Sequence, residues 1–289
     1  MTADGRPPRT RFAPAPTGYL HLGHVANAIW VWGLARTDGG RVLLRIEDHD
    51  RQRRRHEYDA ALLEDLAWLG FVPDEGPVRQ SGDDTPYEAA LARLRERELV
   101  YGCDCTRLTF EAWADERGRQ WRGPGCPGDC RHRALAGPVL RVALGAGSER
   151  WMDRLVGPCS DEVAGAAGDL PVRDRDGNWT YGFAVVVDDL RQDVDLVVRG
   201  RDLLAATAAQ IRLGRLLGRA TPATFAHHPL IRRPDGRKLS KANGDTSVHD
   251  LRAAGRSAAD LIGAAAAAVG LIDTPRPIAA ESVASLFGD

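Results

Sequence analysis

The chain has 289 residues, of which 43% are hydrophobic and 27% charged, and its formal net charge at pH 7 is -1. These values are typical of a soluble globular protein, and a near-neutral charge neither indicates nor excludes nucleic acid as a partner. No apolar run approaches the ~20 residues of a membrane span, and no hydrophobic segment follows the charged start "MTADGRPPRTR", so the sequence predicts a cytoplasmic protein without a secretory signal.

The first hundred residues predict half of a parallel α/β domain, over residues 1–98. The segment "RTRFAPAPTG" leads into a helical pattern, "HVANAIWVWGLARTDG", and the β-like run "RVLLRI" follows the glycine pair at its end. Amphipathic helices are expected in "HEYDAALLEDLAWLG" and "TPYEAALARLRERELV". Alternating strands and crossover helices favour a parallel sheet.

A cysteine-bearing insertion is predicted over residues 99–170, where glycine, proline and short apolar pieces such as "PVLRVALG" and "RWMDRLVG" indicate short strands. Two close cysteine pairs, Cys103 with Cys105 and Cys126 with Cys130, could converge on a zinc ion. The alternative is a chance grouping of reduced thiols. The fifth cysteine, Cys159, is expected to be a small hydrophobic residue without a function.

The second half of the domain is predicted over residues 171–235. "TYGFAVVVDDL" contains an apolar run that suggests a strand ended by two aspartates, "VDLVVRG" suggests another strand, and "DLLAATAAQIRLGRLLG" a helix. The alanine-rich residues 236–289 are expected to form a lysine-bearing loop and a short helical C-terminal region. The fold class is therefore α/β, a doubly wound parallel sheet split by a zinc-bearing insertion.

Two short motifs stand at opposite ends of this α/β unit. His21 and His24 lie in "HLGH", and Lys238 and Lys241 lie in "GRKLSKANG". Taken alone, the histidines could merely cap a helix and the lysines could be a solvated pair. Together they resemble the HIGH and KMSKS motifs of class I aminoacyl-tRNA synthetases, whose Rossmann-like domain binds ATP. The resemblance implies that His21, His24, Lys238 and Lys241 are catalytic, with His21, His24 and Lys241 on ATP, accompanied by Mg²⁺.

Four further stretches, "RFAPAPTGYLHLGH", "LLRIEDHD", "VVVDD" and "VVRGRDLL", resemble the glutamyl branch of that class. By this resemblance Arg11 pairs with a glutamate carboxylate, Glu47 accepts from its ammonium group, and Tyr181 and Arg199 make further contacts. Ordinary ion pairs and a buried tyrosine are the simpler interpretations of these four residues. The implied glutamate-binding set is Arg11, Phe12, Ala13, Pro14, Ala15, Glu47, Tyr181 and Arg199.

About fifty residues follow Lys241, which leaves no room in the chain for an anticodon-binding domain. Together with the cysteine cluster, this resembles the glutamyl-queuosine tRNA(Asp) synthetase group, in which "Y-x-C-x-C" begins a zinc site with Cys103, Cys105, Cys126 and Cys130 as the implied ligands. The implied activity is ATP-dependent activation of L-glutamate and its transfer to the queuosine base in the anticodon arm of tRNA(Asp), by a monomer. Ala15 and Ala242 depart from the serines of the family patterns.

Three alternatives remain open from the sequence: a nucleotidyltransferase for another small acid, a catalytically silent zinc-bearing RNA-binding module, and a glutamyl-tRNA synthetase that charges the 3′ end. Arginines in "DRQRRRHE" and near the cysteines are candidates for tRNA phosphate contacts, although a solvated helix face explains them equally well. They are Arg51, Arg53, Arg54, Arg55, Arg122, Arg131 and Arg133.

Overall fold

The computed structural model describes residues 5–50, 55–116, 126, 128–133, 135–163, 168–231 and 246–288. Within these ranges the chain forms two compact units. Unit 1 comprises Met1–Gln80, Val194–Leu203 and Ala223–Asp289, and unit 2 comprises Ser81–Asp193 and Leu204–Pro222. The division into four segments that the sequence predicts remains a prediction.

The regular elements of the described residues follow one another in this order: β1 (Arg9–Phe12), α1 (Leu22–Thr37), β2 (Arg41–Ile46), α2 (His56–Leu69), β3 (Glu75–Arg79), α3 (Thr85–Glu96), β4 (Val100–Cys103), α4 (Arg107–Glu116), β5 (Val139–Val142), β6 (Ser148–Asp153), β7 (Gly157–Glu162), β8 (Leu170–Arg173), α5 (Tyr181–Arg191), β9 (Leu196–Gly200), α6 (Thr207–Leu216), β10 (Thr224–His228), α7 (Val248–Ala253) and α8 (Ala258–Ala268). No helix among them is both long enough and apolar enough to cross a bilayer.

Unit 1 contains three strands that the sequence predicts, β1, β2 and β9, and two that it does not, β3 and β10. Strands β1, β2 and β3 pair in that order, and β9 pairs with β10. Strand β9 begins beside β1, because the Asp195 amide donates to the Arg9 carbonyl at 3.0 Å and the Asp195 carboxylate accepts from the Arg9 amide at 2.7 Å. Strands β2 and β9 therefore lie on opposite sides of β1. The carboxyl ends of β1 and β9 form the switch point of the sheet, which is where doubly wound sheets bind their ligands.

Helix α1 is the central helix of unit 1. Ten of its sixteen residues are buried, from Val25 to Ala35, so it is covered on nearly every side. Gly33 allows the Phe287 ring to lie against its backbone, since a Cβ at this position would stand 1.9 Å from that ring. Residues that follow α8 therefore pack onto α1, and the helical character predicted for the C-terminal region is confirmed by α7 and α8.

The described residues of unit 2 combine helices α3 to α6 with short antiparallel strands. Strand β5 pairs with β4 and β8, and β6 pairs with β7. Its core packs α3, α5 and α6 together through side chains such as Tyr87, Leu94, Phe183 and Leu213. The short strands expected in the insertion are present, as β4 to β8.

The β run expected in "TYGFAVVVDDL" is wrong, because these residues form helix α5. Three consecutive valines favour a strand by intrinsic preference, but packing of the segment against α3, α6 and β8 stabilises a helix instead. The aspartate that follows them confirms helical spacing, since Asp188 accepts from Arg191 Nε at 2.7 Å, three residues later. The parallel pair of unit 1 is instead completed by β10, "TFAHH", which the sequence analysis did not identify.

Candidate active site and metal centre

Buried charged residues gather on neighbouring strands of unit 1. Arg11 on β1 and Arg199 on β9 are each 4% exposed, and Arg45 on β2 is fully buried. Arg11 pairs with Leu43 across the sheet, and Arg45 lies two residues after Leu43, so Arg11 and Arg45 project from the same face. Buried guanidinium groups require negative partners. Arg45 has such a partner in the Glu47 carboxylate, and Arg11 and Arg199 are placed to bind the carboxylate of a ligand.

Glu47 provides a carboxylate directly after β2. Its amide donates to the Pro14 carbonyl at 3.1 Å, which joins the loop after β1 to the end of β2. Its Oε1 lies 3.2 Å from Arg45 Nη2. Glu47 is therefore oriented through both its backbone and its side chain, by residues that the sequence pattern did not connect with it.

Arg199 is held by its neighbours on β10 and by the turn after β9. Its Nε donates to Nε2 of His227 at 3.0 Å, and its guanidinium carbon lies 5.4 Å from the centre of the Phe225 ring. The Leu203 carbonyl accepts from Nη2 at 3.5 Å. Arg11 also approaches β9, where its Nη1 donates to the Val198 carbonyl at 3.2 Å.

The two motif histidines stand at the start of α1, where they form a capping box. Nδ1 of His21 accepts from the Gly23 amide at 3.1 Å, and Nδ1 of His24 accepts from the His21 amide at 3.1 Å. An imidazole that accepts at Nδ1 carries its proton on Nε2 when it is neutral. Capping and phosphate binding are therefore compatible, because the cap fixes the tautomer in which Nε2 is a donor.

Gly23 is needed for this arrangement. A Cβ at position 23 would lie 2.8 Å from Cε1 of His21, so a side chain there would displace the ring that caps the helix. The two imidazole rings lie 4.0 Å apart between centres. The amino end of α1 thus combines two imidazoles with the positive end of a helix dipole, an arrangement that favours phosphate.

The segment after the lysine motif returns to this helix start. Ser247 forms an isolated β-bridge with His21, and the Val248 amide donates to the Leu20 carbonyl at 2.7 Å. Lys238 and Lys241 themselves, with Ala242, lie outside the described residues. Their roles remain predictions.

The other residues expected to bind glutamate lie in the core, in the loop after β1 and in unit 2. The Phe12 ring packs against Trp32 in the core, with ring centres 5.3 Å apart, so this side chain is part of the core. Ala13, Pro14 and Ala15 form the loop after β1, with the Ala15 carbonyl accepting from the Thr17 amide at 2.9 Å. Tyr181 belongs to unit 2, as the first residue of α5.

The four clustered cysteines come together in unit 2. The Sγ atoms of Cys103, Cys105, Cys126 and Cys130 all lie within 4.8 Å of one another, and those of Cys105 and Cys130 are 3.4 Å apart. Tetrahedral zinc–thiolate bonds of about 2.3 Å place sulfur atoms about 3.8 Å apart, so this cluster has the dimensions of such a site. The structure brings together all four predicted ligands.

Electrostatics within the cluster already favour a thiolate. A hydrogen bond with the Cys103 thiol lowers the pKa of Cys126 to about 4 and raises the pKa of Cys103. Burial raises the pKa of Cys105 to about 12. A divalent metal removes the remaining protons, because thiolates are its ligands. The donor set therefore fits a metal, with no position for water when all four thiolates bind.

An ion pair supports the cluster from outside. The buried Asp169 carboxylate accepts two hydrogen bonds from Arg131, at 2.8 Å from Nε and 2.7 Å from Nη2, and a third from the Tyr101 hydroxyl at 2.8 Å. The Asp169 amide donates to the Cys126 carbonyl at 2.8 Å. Asp169 therefore ties the segment of one cysteine to the strand that carries another.

Several site neighbours were not identified from the sequence: Arg45, Phe225, His227, His228, Asn27 and Asp169. A charged residue inside the apolar run "RVLLRI" was a usable signal for Arg45, because a charge in a buried strand needs a partner. The adjacent histidines in "TFAHH" were a second signal, but no strand was expected there.

The structure describes three of the seven arginines that are candidates for contacts with tRNA. Arg55 is exposed before α2, Arg131 pairs with Asp169, and Arg133 pairs with Asp104 at 3.2 Å. Arg51, Arg53, Arg54 and Arg122 lie outside the described residues. The described arginines near the cysteines therefore have structural partners, and their contact with tRNA remains a prediction.

A family model for the catalytic domain of class I tRNA synthetases of the E and Q type matches residues 8–264. The chain therefore belongs to this family of ligases, and the α/β fold with a cysteine cluster in an insertion agrees with that membership. Its members act with ATP, an amino acid and tRNA.

Relatives are found both among short proteins and among longer ones. A protein named Glutamyl-Q tRNA(Asp) synthetase from Symbiobacterium thermophilum is 41% identical over 96% of this chain and 91% of its own length. One of the same name from Rhodobacter capsulatus is 40% identical over 87% of this chain and 97% of its own length. A glutamate–tRNA ligase from a Synechococcus strain is 38% identical over 86% of this chain, which spans 54% of it.

A solved structure of a glutamate tRNA ligase has a similar fold. The crystal structure of a glutamate tRNA ligase from Elizabethkingia meningosepticum, in complex with its amino acid, aligns with a TM-score of 0.76 and 26% identity. The alignment covers 96% of this chain and 64% of that one. The fold of the catalytic region is therefore shared with an enzyme of the glutamyl branch.

Proposed function

We propose that this protein activates L-glutamate with ATP and transfers the glutamyl group to the queuosine base in the anticodon of tRNA(Asp). The observation that carries the first step is the pair of buried arginines, Arg11 on β1 and Arg199 on β9, in the unit whose first crossover helix starts with two imidazoles. The relatives that match over nearly their whole length at 40–41% identity bear the name Glutamyl-Q tRNA(Asp) synthetase, which supports the second step.

In the glutamate pocket, Arg11 and Arg199 bind carboxylate oxygens, because a planar guanidinium matches a carboxylate with two donors. Glu47 accepts from the ammonium group. Phe12, Ala13, Pro14 and Ala15 line the pocket through their backbone, and a contact of Tyr181 with glutamate stays a prediction of the family resemblance. An alanine at position 15 leaves the pocket without the hydroxyl that the family pattern has there.

In the activation step a carboxylate oxygen of glutamate attacks the α-phosphorus of ATP, and the bond to pyrophosphate breaks. Negative charge then develops on the phosphoryl oxygens and on the leaving group, and fixed donors near these atoms stabilise the transition state. The Nε2–H groups of His21 and His24 supply such donors from the start of α1. Lys238 and Lys241 neutralise the phosphates, and Mg²⁺ enters with ATP.

Zinc is the metal that we assign to the four cysteines, because an all-thiolate tetrahedral set is characteristic of structural zinc. Bound there, it would link β4 to the turn that carries Cys130. Its role is structural, and no step of the reaction passes through it. Cys103 and Cys126 are fully buried, which agrees with such a role.

Charging of a tRNA 3′ end is the second candidate activity. It is supported by glutamate–tRNA ligases that are 38–40% identical to this chain, of which the chain spans 54%. Both activities share the adenylate and differ only in the acceptor. A monomeric state and a cytoplasmic location also remain predictions, and sedimentation velocity tests the first of them.

Glutamate-dependent ATP–pyrophosphate exchange tests activation, and it is measured with and without tRNA. Exchange without tRNA is expected. Absence of glutamate-dependent exchange under both conditions would reject this function in favour of a nucleotidyltransferase for another acid or a silent RNA-binding module. Dependence on tRNA would instead favour the ligase that charges a 3′ end.

Transfer of labelled glutamate then identifies the acceptor. Three forms of tRNA(Asp) are compared: one with queuosine, one with guanine in its place, and one with queuosine but without the terminal adenosine. The proposal expects label on the first and third forms only. Label on the first and second forms alone would assign the 3′ end as acceptor.

A further inference from the structure

We propose that His227 is a positioning residue that orients Arg199 for glutamate, through a neutral imidazole protonated on Nδ1. This inference rests on the proposed function, because it takes Arg199 as a ligand of the substrate carboxylate. It concerns a residue of β10 to which the sequence motifs assign no role.

Strand register brings the two residues together. Arg199 on β9 is the direct partner of His227 on β10 in the parallel pairing, so their side chains leave the same face of the sheet side by side. Both are buried, with exposed fractions of 4% and 0%. Nε of Arg199 lies 3.0 Å from Nε2 of His227, the distance of a normal hydrogen bond.

The direction of this hydrogen bond is fixed by chemistry. A guanidinium Nε–H only donates, because arginine keeps its charge in proteins. Nε2 of His227 must therefore accept, and the ring carries its proton on Nδ1. A protonated His227 would have no acceptor to offer and would place a second positive charge beside Arg199.

A second contact restrains the plane of the guanidinium. The carbon atom of the Arg199 guanidinium lies 5.4 Å from the centre of the Phe225 ring, which stacks on the His227 ring with centres 5.8 Å apart and planes 9° from parallel. Phe225 and His227 are two residues apart on β10 and thus share a face. Together they limit rotation of a planar group whose orientation decides how well it meets a carboxylate.

Two substitutions of similar size test the role of the ring nitrogen. The amide oxygen of glutamine can occupy the position of Nε2, whereas asparagine is one bond shorter and reaches only the position of Nδ1. We therefore expect His227→Gln to retain glutamate affinity within about threefold, and His227→Asn to raise the KM for glutamate roughly tenfold or more, as for loss of a hydrogen bond to a buried charge. The KM for ATP should change little in either variant.

The readout is ATP–pyrophosphate exchange at varied glutamate and at varied ATP, with thermal unfolding of each variant to confirm folding. Wild-type protein without glutamate-dependent exchange would reject the proposed function and not this assignment. With an active wild type, equal glutamate KM values in the two variants, or equal rises for glutamate and ATP, would overturn the role of His227.

Nitrogen NMR of the histidine rings provides a test that does not depend on activity. The His227 signals are assigned by their loss in His227→Gln. The inference requires a neutral ring with the proton on Nδ1 at pH 7. A ring with its proton on Nε2, or an imidazolium, would contradict it.

Discussion

His228 of β10 and Asn27 of α1 are joined through their side chains, with Nε2 of the imidazole 3.1 Å from Oδ1 of the amide. The other ring nitrogen, Nδ1, lies 2.8 Å from the Pro229 carbonyl, which only accepts and therefore requires a proton on Nδ1. Burial lowers the pKa of His228, so the ring is neutral and Nε2 accepts. Since an amide oxygen only accepts, the donor to this neutral ring is the nitrogen of the Asn27 amide.

This neutral imidazole predicts a loss of stability at acidic pH. Because the pKa of His228 is lower when the protein is folded, the unfolded chain binds an additional proton as the pH falls below the ordinary value of 6.5. The contribution of His228 is complete above that pH and decreases below it, with a slope of at most about 1.4 kcal/mol per pH unit. Urea unfolding between pH 5 and 8 measures this slope.

The comparison for this prediction is His228→Gln, which can keep a hydrogen bond to Asn27 but does not titrate. Its stability should depend less on pH than that of the wild type across this range. Parallel curves for the two proteins would show that another group is responsible.

Capping by His21 can be separated from its proposed role on phosphate. Asparagine is a good N-cap residue, so His21→Asn should keep the start of α1 while removing the Nε2 donor. We expect its thermal stability to remain near that of the wild type and its pyrophosphate exchange rate to fall by roughly two orders of magnitude. His21→Ala should lose activity similarly and also about 1 kcal/mol of stability. Normal exchange in His21→Asn would limit this residue to capping.

Metal content is the test of the cysteine cluster. Elemental analysis of protein purified without chelators should give about one zinc per chain. Cys105→Ser should lower this content and destabilise the protein, whereas Cys159→Ser should leave the content unchanged, because Cys159 lies outside the cluster. Fully folded and active protein without metal would be incompatible with a structural zinc.

Asp169 offers a more specific test of how the metal site is supported. Asp169→Asn removes the charge that pairs with Arg131 and accepts from Tyr101 while keeping a side chain of the same shape, so we expect weaker zinc binding with a smaller loss than in Cys105→Ser. Competition with a zinc-binding dye measures this change. The control is Asp161→Asn on the exposed strand β7, for which zinc affinity should equal that of the wild type.

Several elements of the fold could be predicted because local pattern and tertiary environment agree. The glycine pair after α1 and the alternation of strands and helices in the first hundred residues indicate β1, α1, β2 and α2 in their correct order. The cysteine cluster was also predictable, since four thiolates within thirty residues have few other uses. For these features, residues close together in sequence are sufficient to predict the structure.

Helix α5 could not be predicted in the same way. Its valines favour a strand, and only the surrounding core of unit 2 stabilises the helical alternative. The partners of the site residues could not be predicted either, because they are distant from those residues in sequence. His227 acts on Arg199 through strand register across 28 positions of sequence, and Asp169 reaches Cys126 across 43, so neither relation appears in a local pattern.

The bridge between His21 and Ser247 also sets an upper limit on the distance between the lysine motif and the histidine motif. Lys241 lies six residues before Ser247, and an extended chain spans at most about 3.5 Å per residue, so its Cα stays within about 21 Å of this anchor. The proposed action of Lys241 on phosphate therefore takes place close to the imidazoles, at a high effective concentration set by the length of the intervening chain. Insertion of flexible residues between Lys241 and Ser247 should accordingly lower the rate of pyrophosphate exchange without altering any contact at the anchor.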